Sequence, residues 1–237
     1  MANALLAALP AEDLRRMSAD LKPVTLAFGD VLCAPGEPVP YVYFPTDAVV
    51  SLRQGVKDGS AMEVGMVGHE GMVGASLVLG SDVSTIRAVV LRAGDALRMT
   101  AASFRRMFRT SLPLQAEACR FVHSKLALAR QTAACARFHL LEARLASWLL
   151  GASERIGSPG LHFTQDSLAS VLGVRRVGVT RAASNLEQRR LISYRRGDIR
   201  ILDRAGLVAA SCGCHTSFGP RDGPRGPWAD GRPLQKR

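Results

Sequence analysis

Between Arg175 and Arg200 the chain carries eight arginines against two acids, Glu187 and Asp198. A guanidinium presents five donors in a rigid plane, a fork that matches a phosphate or the O6/N7 edge of guanine. The overlapping stretch, FTQDSLASVLGVRRVGVTRAASNLEQRRLI from Phe163 to Ile192, is therefore a candidate for reading DNA. The competing reading is a solvated face over an ordinary core. The elements that would carry these arginines separate the two.

Thr164 is placed to cap a helix, its hydroxyl accepting from an orphan backbone N–H. Leu168, Val171 and Leu172 follow at i, i+3 and i+4, the spacing of a buried helical stripe. Ala169 is small where a second helix would cross, and Gly173 supplies the turn. A second helix starts near Arg175 or Arg176, with Val179, Ala182, Ala183 and Leu186 on one side. At about 100° per residue, Val177, Arg181, Ser184 and Gln188 project from the other side. Two strand-like runs, Leu191 to Tyr194 and Ile199 to Leu202, are joined by RRGD, with Gly197 free to take a positive φ. A helix-turn-helix followed by a hairpin is a winged helix, with Arg195 and Arg196 at the wing tip. The apolar positions keep helical spacing while the arginines fall on exposed ones, which favours DNA over a winged helix used only for protein contacts.

The rest of the chain fits a regulator built around that module. The net charge of +11 is uneven: residues 160–237 carry a net +8 and residues 1–159 a net +3. A basic C-terminal third on a nearly balanced N-terminal portion suits a polyanion partner. Apolar content of 47% allows a substantial core. No charged segment followed by an apolar core opens the sequence and no run approaches 18 apolar residues, so a cytoplasmic protein without membrane contact is expected. Residues 1 to about 20 read as a short helix. From Val24 to about Met99, short apolar runs alternate with Gly, Pro and Asp, the texture of an antiparallel barrel or sandwich. Gly65, Gly68, Gly71 and Gly74 recur every three residues, as a phosphate cradle or, the reading preferred, as tight turns. His69 beside Glu70 in this Gly-rich stretch reads as a ligand or, the reading preferred, as part of a solvated turn.

A short helix over Ser103–Arg109 precedes a long one over roughly Leu112–Arg137. Leu114, Phe121, Leu128 and Cys135 repeat there at heptad spacing, with Ala118, Lys125 and Thr132 as companions. That stripe is either a seam between two copies or a face packed on its own domain; spacing leaves both open. Leu141, Leu145, Trp148 and Leu149 mark a further helix, broken by GSPG at 157–160. Residues 216–237 hold four Gly and four Pro and are expected to be disordered.

At this point the sequence resembles the Crp/Fnr superfamily of bacterial transcription regulators over residues 1 to about 215. FTQDSLASVLGVRRVGVTRAASNLEQRRLISYRRGDIRIL resembles the family's winged helix-turn-helix. GHEGMVGASLVLGSDVSTIRAVVLRAGDALRMTAASFRRMF resembles the last strands of its cyclic-nucleotide-binding-like β-roll and the helix after it. The resemblance implies an α+β chain: an N-terminal antiparallel, jelly-roll-like β-roll as sensor (1–110), a dimerisation helix (111–137), and a winged helix-turn-helix (138–215), followed by the tail. By position it implies that Arg176, Val177 and Arg181 read bases. Thr164, Arg175, Thr180, Arg195 and Arg196 are then expected on phosphates. Val177 departs from the acid frequent in the family at its place and cannot accept from cytosine N4, though it can meet a thymine methyl.

Relatives that bind a cyclic nucleotide use a Gly-Glu pair, then an Arg followed by a small hydroxyl residue. Here the corresponding places read Gly74-Ala75-Ser76 and Ser84-Thr85, and Arg87 is out of register. Without both charged contacts a cyclic phosphate would be desolvated uncompensated, so the pocket reads as degenerate and a cyclic nucleotide is not expected. Residues 1–32 contain no cysteine, which argues against the family's N-terminal iron–sulfur cluster. The five cysteines, Cys33, Cys119, Cys135, Cys212 and Cys214, do not form a disulfide framework. Cys212-Gly-Cys214-His215 invites a metal, but a closed zinc site wants four ligands and no partner pair is evident along the chain. The expectation is an unpaired reduced segment, no metal and no cofactor. The partners expected are double-stranded DNA, a second copy of the chain, RNA polymerase and an unidentified small-molecule effector. No nucleophile elbow, Walker loop or H-E-x-x-H motif supports an enzyme. The remaining alternative is a cyclic-nucleotide-binding-like signalling module that uses its winged helix for protein contacts.

Overall fold

The computed structural model describes residues 2–56 and 61–214; the expected disordered tail and His215 lie outside the described residues. The chain opens with two helices, α1 (Ala4–Ala7) and α2 (Ala11–Ser18), where one was expected. Pro10 separates them, because a proline biases the residue before it away from helical geometry. Buried Asn3 caps α1 through Oδ1 and donates from Nδ2 to the carbonyls of Pro45 and Gly71.

The β-rich region is an antiparallel two-sheet roll, as its alternating texture suggests. Its strands are β1 (Lys22–Leu26), β2 (Val31–Cys33), β3 (Tyr41–Pro45), β4 (Val49–Gly55), β5 (Ala61–Val67), β6 (Arg87–Arg92) and β7 (Gly94–Thr100). One sheet has the order β1-β7-β3 and the other β2-β6-β4-β5. Their inner faces enclose Val42, Phe44, Val50, Val67, Val90 and Met99, all essentially inaccessible to solvent. Gly65 lies within β5 rather than in a turn, a correction to the reading of the glycine repeat. Gly71 follows in the loop after β5, and a Cβ there would overlap the Phe121 ring.

Helix α3 (Ala101–Thr110) leads into the long α4 (Leu112–Phe138). Ser111 ends the first and caps the second, its hydroxyl accepting from the Leu114 N–H at 3.1 Å. At 27 residues, α4 is about 40 Å long. The heptad stripe of the sequence faces inward. Leu114, Ala118 and Phe121 belong to the roll's core, Cys135 is buried, and Lys125 is hydrogen-bonded to the Met66 carbonyl. Of the two readings left open, packing on the chain's own domain therefore holds for this stripe.

His139 and Leu140 are extended and separate α4 from α5 (Leu141–Ile156). The C-terminal unit continues with β8 (Gly160–His162), α6 (Gln165–Leu172), α7 (Arg176–Gln188), β9 (Ile192–Arg195), β10 (Asp198–Ile201) and α8 (Arg204–Ala210). The three strands form one sheet in the order β8-β10-β9; β8 was not anticipated, since GSPG reads only as a break. A second core of Leu145, Leu149, Leu168, Val179, Leu186 and Ile199 holds the unit together.

Candidate nucleic-acid interface

The two central helices of the C-terminal unit are set by local chemistry. The Thr164 hydroxyl accepts from the Ser167 N–H at 3.1 Å and starts α6. Leu168, Val171 and Leu172 are buried, and Gly173 ends the helix at φ +65°. On α7, Val179, Ala182, Ala183 and Leu186 are buried, while Val177, Thr180, Arg181, Ser184 and Gln188 are exposed. Arg175 is the residue before the first turn and is also exposed.

Arg176 is held at the mouth of α7. Its Nε donates to Gln165 Oε1 at 3.3 Å and its Nη1 lies 3.5 Å from Asp166 Oδ2. Gln165 Oε1 also accepts from the Thr180 hydroxyl at 2.8 Å, so α6 orients two α7 side chains. Arg181 makes no hydrogen bond or ion pair among the described residues, which leaves its fork available. Val177 is 66% exposed, an unusual place for an apolar side chain without a partner surface. Sequence periodicity assigned both faces of this helix correctly.

The wing is tighter than anticipated. Both Arg196 and Gly197 have positive φ, +51° and +94°, the signature of the two-residue turn that matches strand twist. Arg195 and Arg196 are exposed at this tip. Behind it, His162 Nδ1 lies 2.7 Å from Asp198 Oδ1, and the Tyr194 hydroxyl donates to the Phe163 carbonyl, tying wing to helix pair.

Between the roll and the C-terminal unit lies a cleft of about 460 Å³, whose walls include β5, α4, α5 and the end of α6. At its floor Glu70 is not in a solvated turn, as the sequence suggested, but buried. Its Oε1 lies 3.2 Å from Lys125 Nζ and 3.0 Å from Arg155 Nε, and its Oε2 accepts from the Gly68 N–H. Burial alone would raise this carboxyl, but the two cations outweigh it and hold the pKa at about 2. Glu70 thus joins the roll, the long helix and the C-terminal unit. A second buried carboxyl, Glu63, accepts from the Ser51 hydroxyl at 2.6 Å and the Trp148 indole at 2.8 Å. Burial pushes its pKa up, only partly opposed by these bonds. Neither role was visible in the sequence, because the two cations at Glu70 stand 55 and 85 residues away and the indole at Glu63 stands 85 away.

At the far side of the cleft Cys212 and Cys214 have the partner pair that was not evident along the chain. Cys135 on the last turn of α4 and His139 just beyond it meet Cys212 and Cys214, and the four donor atoms lie within 4.8 Å of one another. The four-residue spacing of Cys135 and His139 across the end of α4 was the available signal. Burial pushes the Cys135 thiol up and Cys214 to about 12. Burial acts on Cys212 as well, but hydrogen bonds from Ser147 and the Cys214 backbone outweigh it and hold that thiol below its ordinary value.

Comparison with known families places this geometry. A Crp-like helix-turn-helix domain matches residues 143–210, and a cyclic nucleotide-binding domain matches residues 23–111. Together the two span most of the chain, in the order roll, long helix, winged helix. The chain belongs to the Crp/Fnr family. Similar folds occur in a Crp/Fnr-family protein from Eubacterium rectale (17% identity, 87% of this chain and 96% of that one, TM-score 0.71). They occur also in a Crp/Fnr-family transcriptional regulator from Thermus thermophilus (24% identity, 84% and 100%, TM-score 0.67). FixK2 from Bradyrhizobium japonicum is a third (14% identity, 81% and 98%, TM-score 0.69). No curated protein sequence matches the chain.

In this Crp/Fnr protein the five positions expected to form a degenerate effector pocket are scattered in environment. Gly74 has φ +100° and begins a 3-10 turn that contains Ala75 and Ser76. Ser84 is 4% exposed, and its hydroxyl donates to the Ile86 carbonyl at 2.7 Å, while Thr85 is exposed. None of the five lines the interdomain cleft. The Crp/Fnr fold also has no helix, among the described residues, long and apolar enough to cross a membrane.

Proposed function

We propose that this Crp/Fnr-type regulator is a homodimer that binds a near-palindromic DNA site through the major groove. The observation that carries the reading is the division of α7: one face locked in the core, the other presenting Arg176, Val177 and Arg181 to solvent. Arg176 and Arg181 are suited to guanine O6/N7, each such pair contributing ~1–3 kcal/mol of discrimination. Val177 suits a thymine methyl. Thr164, Arg175, Thr180, Arg195 and Arg196 then position the protein on phosphates.

The dimer would use the outward face of α4, not the inward stripe. Leu112, Ala116, Cys119, His123, Leu126 and Ala133 are exposed along one line, with Arg130 and Arg137 completing an alternating 4,3 spacing. That spacing is the seam of a two-stranded coiled coil. It would set two recognition helices about 34 Å apart. RNA polymerase is the further protein partner and the cytoplasm the compartment such a regulator would use. An effector, where one acts, is a small molecule other than a cyclic nucleotide, since Ala75 and Ser84 replace charge with a methyl group and an internally bonded hydroxyl.

Selection of bound sequences from random DNA, followed by gel-shift titration, tests the proposal. The expected outcome is an inverted-repeat consensus with half-sites one helical turn apart, bound by two chains. Retention of no sequence at moderate salt, or one chain per site, would overturn it.

A further inference from the structure

Three of the five cysteines converge at one place, together with a histidine. Cys135 and His139 come from the end of α4, and Cys212 and Cys214 from the segment after α8. Cys135 Sγ lies 4.0 Å from Cys212 Sγ, and Cys214 Sγ lies 3.9 Å from His139 Nδ1. With Zn–S of ~2.3 Å and Zn–N of ~2.0–2.1 Å, tetrahedral ligands stand roughly 3.5–3.8 Å apart. These two pairs need contract by only a few tenths of an ångström, and the widest separation in the set, up to 4.8 Å, by about 1 Å, to close around one ion. A disulfide would use two of the four groups and leave the others unexplained.

We propose that Cys135, His139, Cys212 and Cys214 form a mononuclear Cys3His site for zinc. The donor set is the soft sulfur-and-imidazole set that selects zinc in tetrahedral geometry. The surroundings orient the ligands. Gln131 Nε2 donates to Cys135 Sγ at 3.4 Å. The Ser147 hydroxyl lies 3.0 Å from Cys212 Sγ while its oxygen accepts from the Cys212 N–H, leaving the hydroxyl proton for the sulfur. Gly213 takes φ +68°, which turns the two flanking cysteines toward one point. Such outer hydrogen bonds are what hold metal ligands in register.

The chemistry balances as a ligand exchange without redox change. Zn2+ displaces up to three thiol protons and takes the neutral imidazole, giving a centre of net charge −1 with the released protons passing to buffer. Arg144, which borders the same cleft and feels the charge of Cys135 and Cys212, supplies the nearby cation. The four ligands bridge the His139–Leu140 break between α4 and α5. A bound ion therefore ties the end of the C-terminal unit to the end of the long helix and fixes the angle between them. Whether the chain binds DNA does not enter this inference.

The test uses the full chain, purified under reducing conditions, stripped with chelator and reloaded with Zn2+ or Co2+. The expected result is one metal per chain and, with cobalt, the intense visible bands and near-ultraviolet thiolate charge transfer of a tetrahedral site. Cys135→Ser and Cys212→Ser should each weaken binding more than tenfold, while Cys33→Ala keeps one metal. Mass-spectrometric thiol labelling of the unmutated chain covers the case in which a variant does not fold: zinc should shield Cys135, Cys212 and Cys214 and leave the labelling of Cys119 as it is without zinc. Less than a tenth of a metal per chain, undiminished binding in both serine variants, or unchanged labelling on adding zinc would overturn the site. So would iron with acid-labile sulfide in place of a single zinc.

Discussion

The exposed arginines of α7 and the buried cations at Glu70 are the same chemistry in opposite settings. Arg181 has no partner among the described residues, whereas Lys125 and Arg155 are committed to one carboxylate. An exposed guanidinium is stabilised by water and free to exchange it for a polyanion, at little cost to the fold. A buried one has lost that water and depends on its counterion. The first arrangement leaves charge available for a ligand. The second uses charge to hold three parts of one chain in register.

Removing the buried anion should have the largest effect. Glu70→Gln leaves two desolvated cations facing a neutral amide and should lower unfolding stability by about 3–5 kcal/mol, read from urea denaturation. The same pair predicts a pH dependence. A carboxyl held at about 2 against an ordinary 4.5 stabilises the fold fully above the ordinary value. That contribution is lost as pH falls from about 5 through about 2, and the urea midpoint of the parent should drop over that window more steeply than that of the variant. Parallel pH profiles would show that Glu70 is not the group responsible.

Changing an exposed arginine should leave stability within about 0.5 kcal/mol. Arg181→Ala should instead cost about 1–3 kcal/mol of affinity for the selected site while barely altering non-specific binding, measured by competitive titration. Equal loss on both kinds of DNA would move Arg181 from base reading to phosphate contact. Joint replacement of Arg195 and Arg196 by alanine should reduce the slope of log affinity against log salt by about 2 per chain. An unchanged slope would remove the wing from the interface.

The smallest effect sharpens the contrast within the buried set. Among the described residues, no cation is bonded to the Glu63 carboxyl; it accepts from Ser51 and Trp148. A group whose pKa is raised on folding loses stability as pH rises past its unfolded value. Glu63→Gln should therefore be neutral, or stabilising by up to about 1 kcal/mol at pH 7. A loss as large as that of Glu70→Gln would mean that Glu63 works as an ionised partner after all.

The winged helix was legible from one sequence because its determinants are local. Thr164, Gly173 and Gly197 act within a few residues of themselves, and the helical period places Val179 and Arg181 on opposite faces without knowledge of anything else. The roll was legible as a class, from strand texture, but not in its strand order. The long helix shows where this fails. Two heptad-compatible lines run along α4; the sequence singled out the one through Leu114 and Phe121 and left its role open, and the burial of Leu114, Ala118 and Phe121 shows that this line faces inward.

By itself, the sequence determined the helix faces, the capping and turn positions, and the concentration of arginine at the C-terminal end. Tertiary structure decided which face of α4 is free, which carboxylates are buried, and which cysteines meet. The physical reason is range. Periodicity and capping are set by backbone geometry over three to seven residues. Counterions and ligands are chosen by proximity in space, and Glu70 with Arg155, or Cys135 with Cys212, lie 85 and 77 residues apart along the chain.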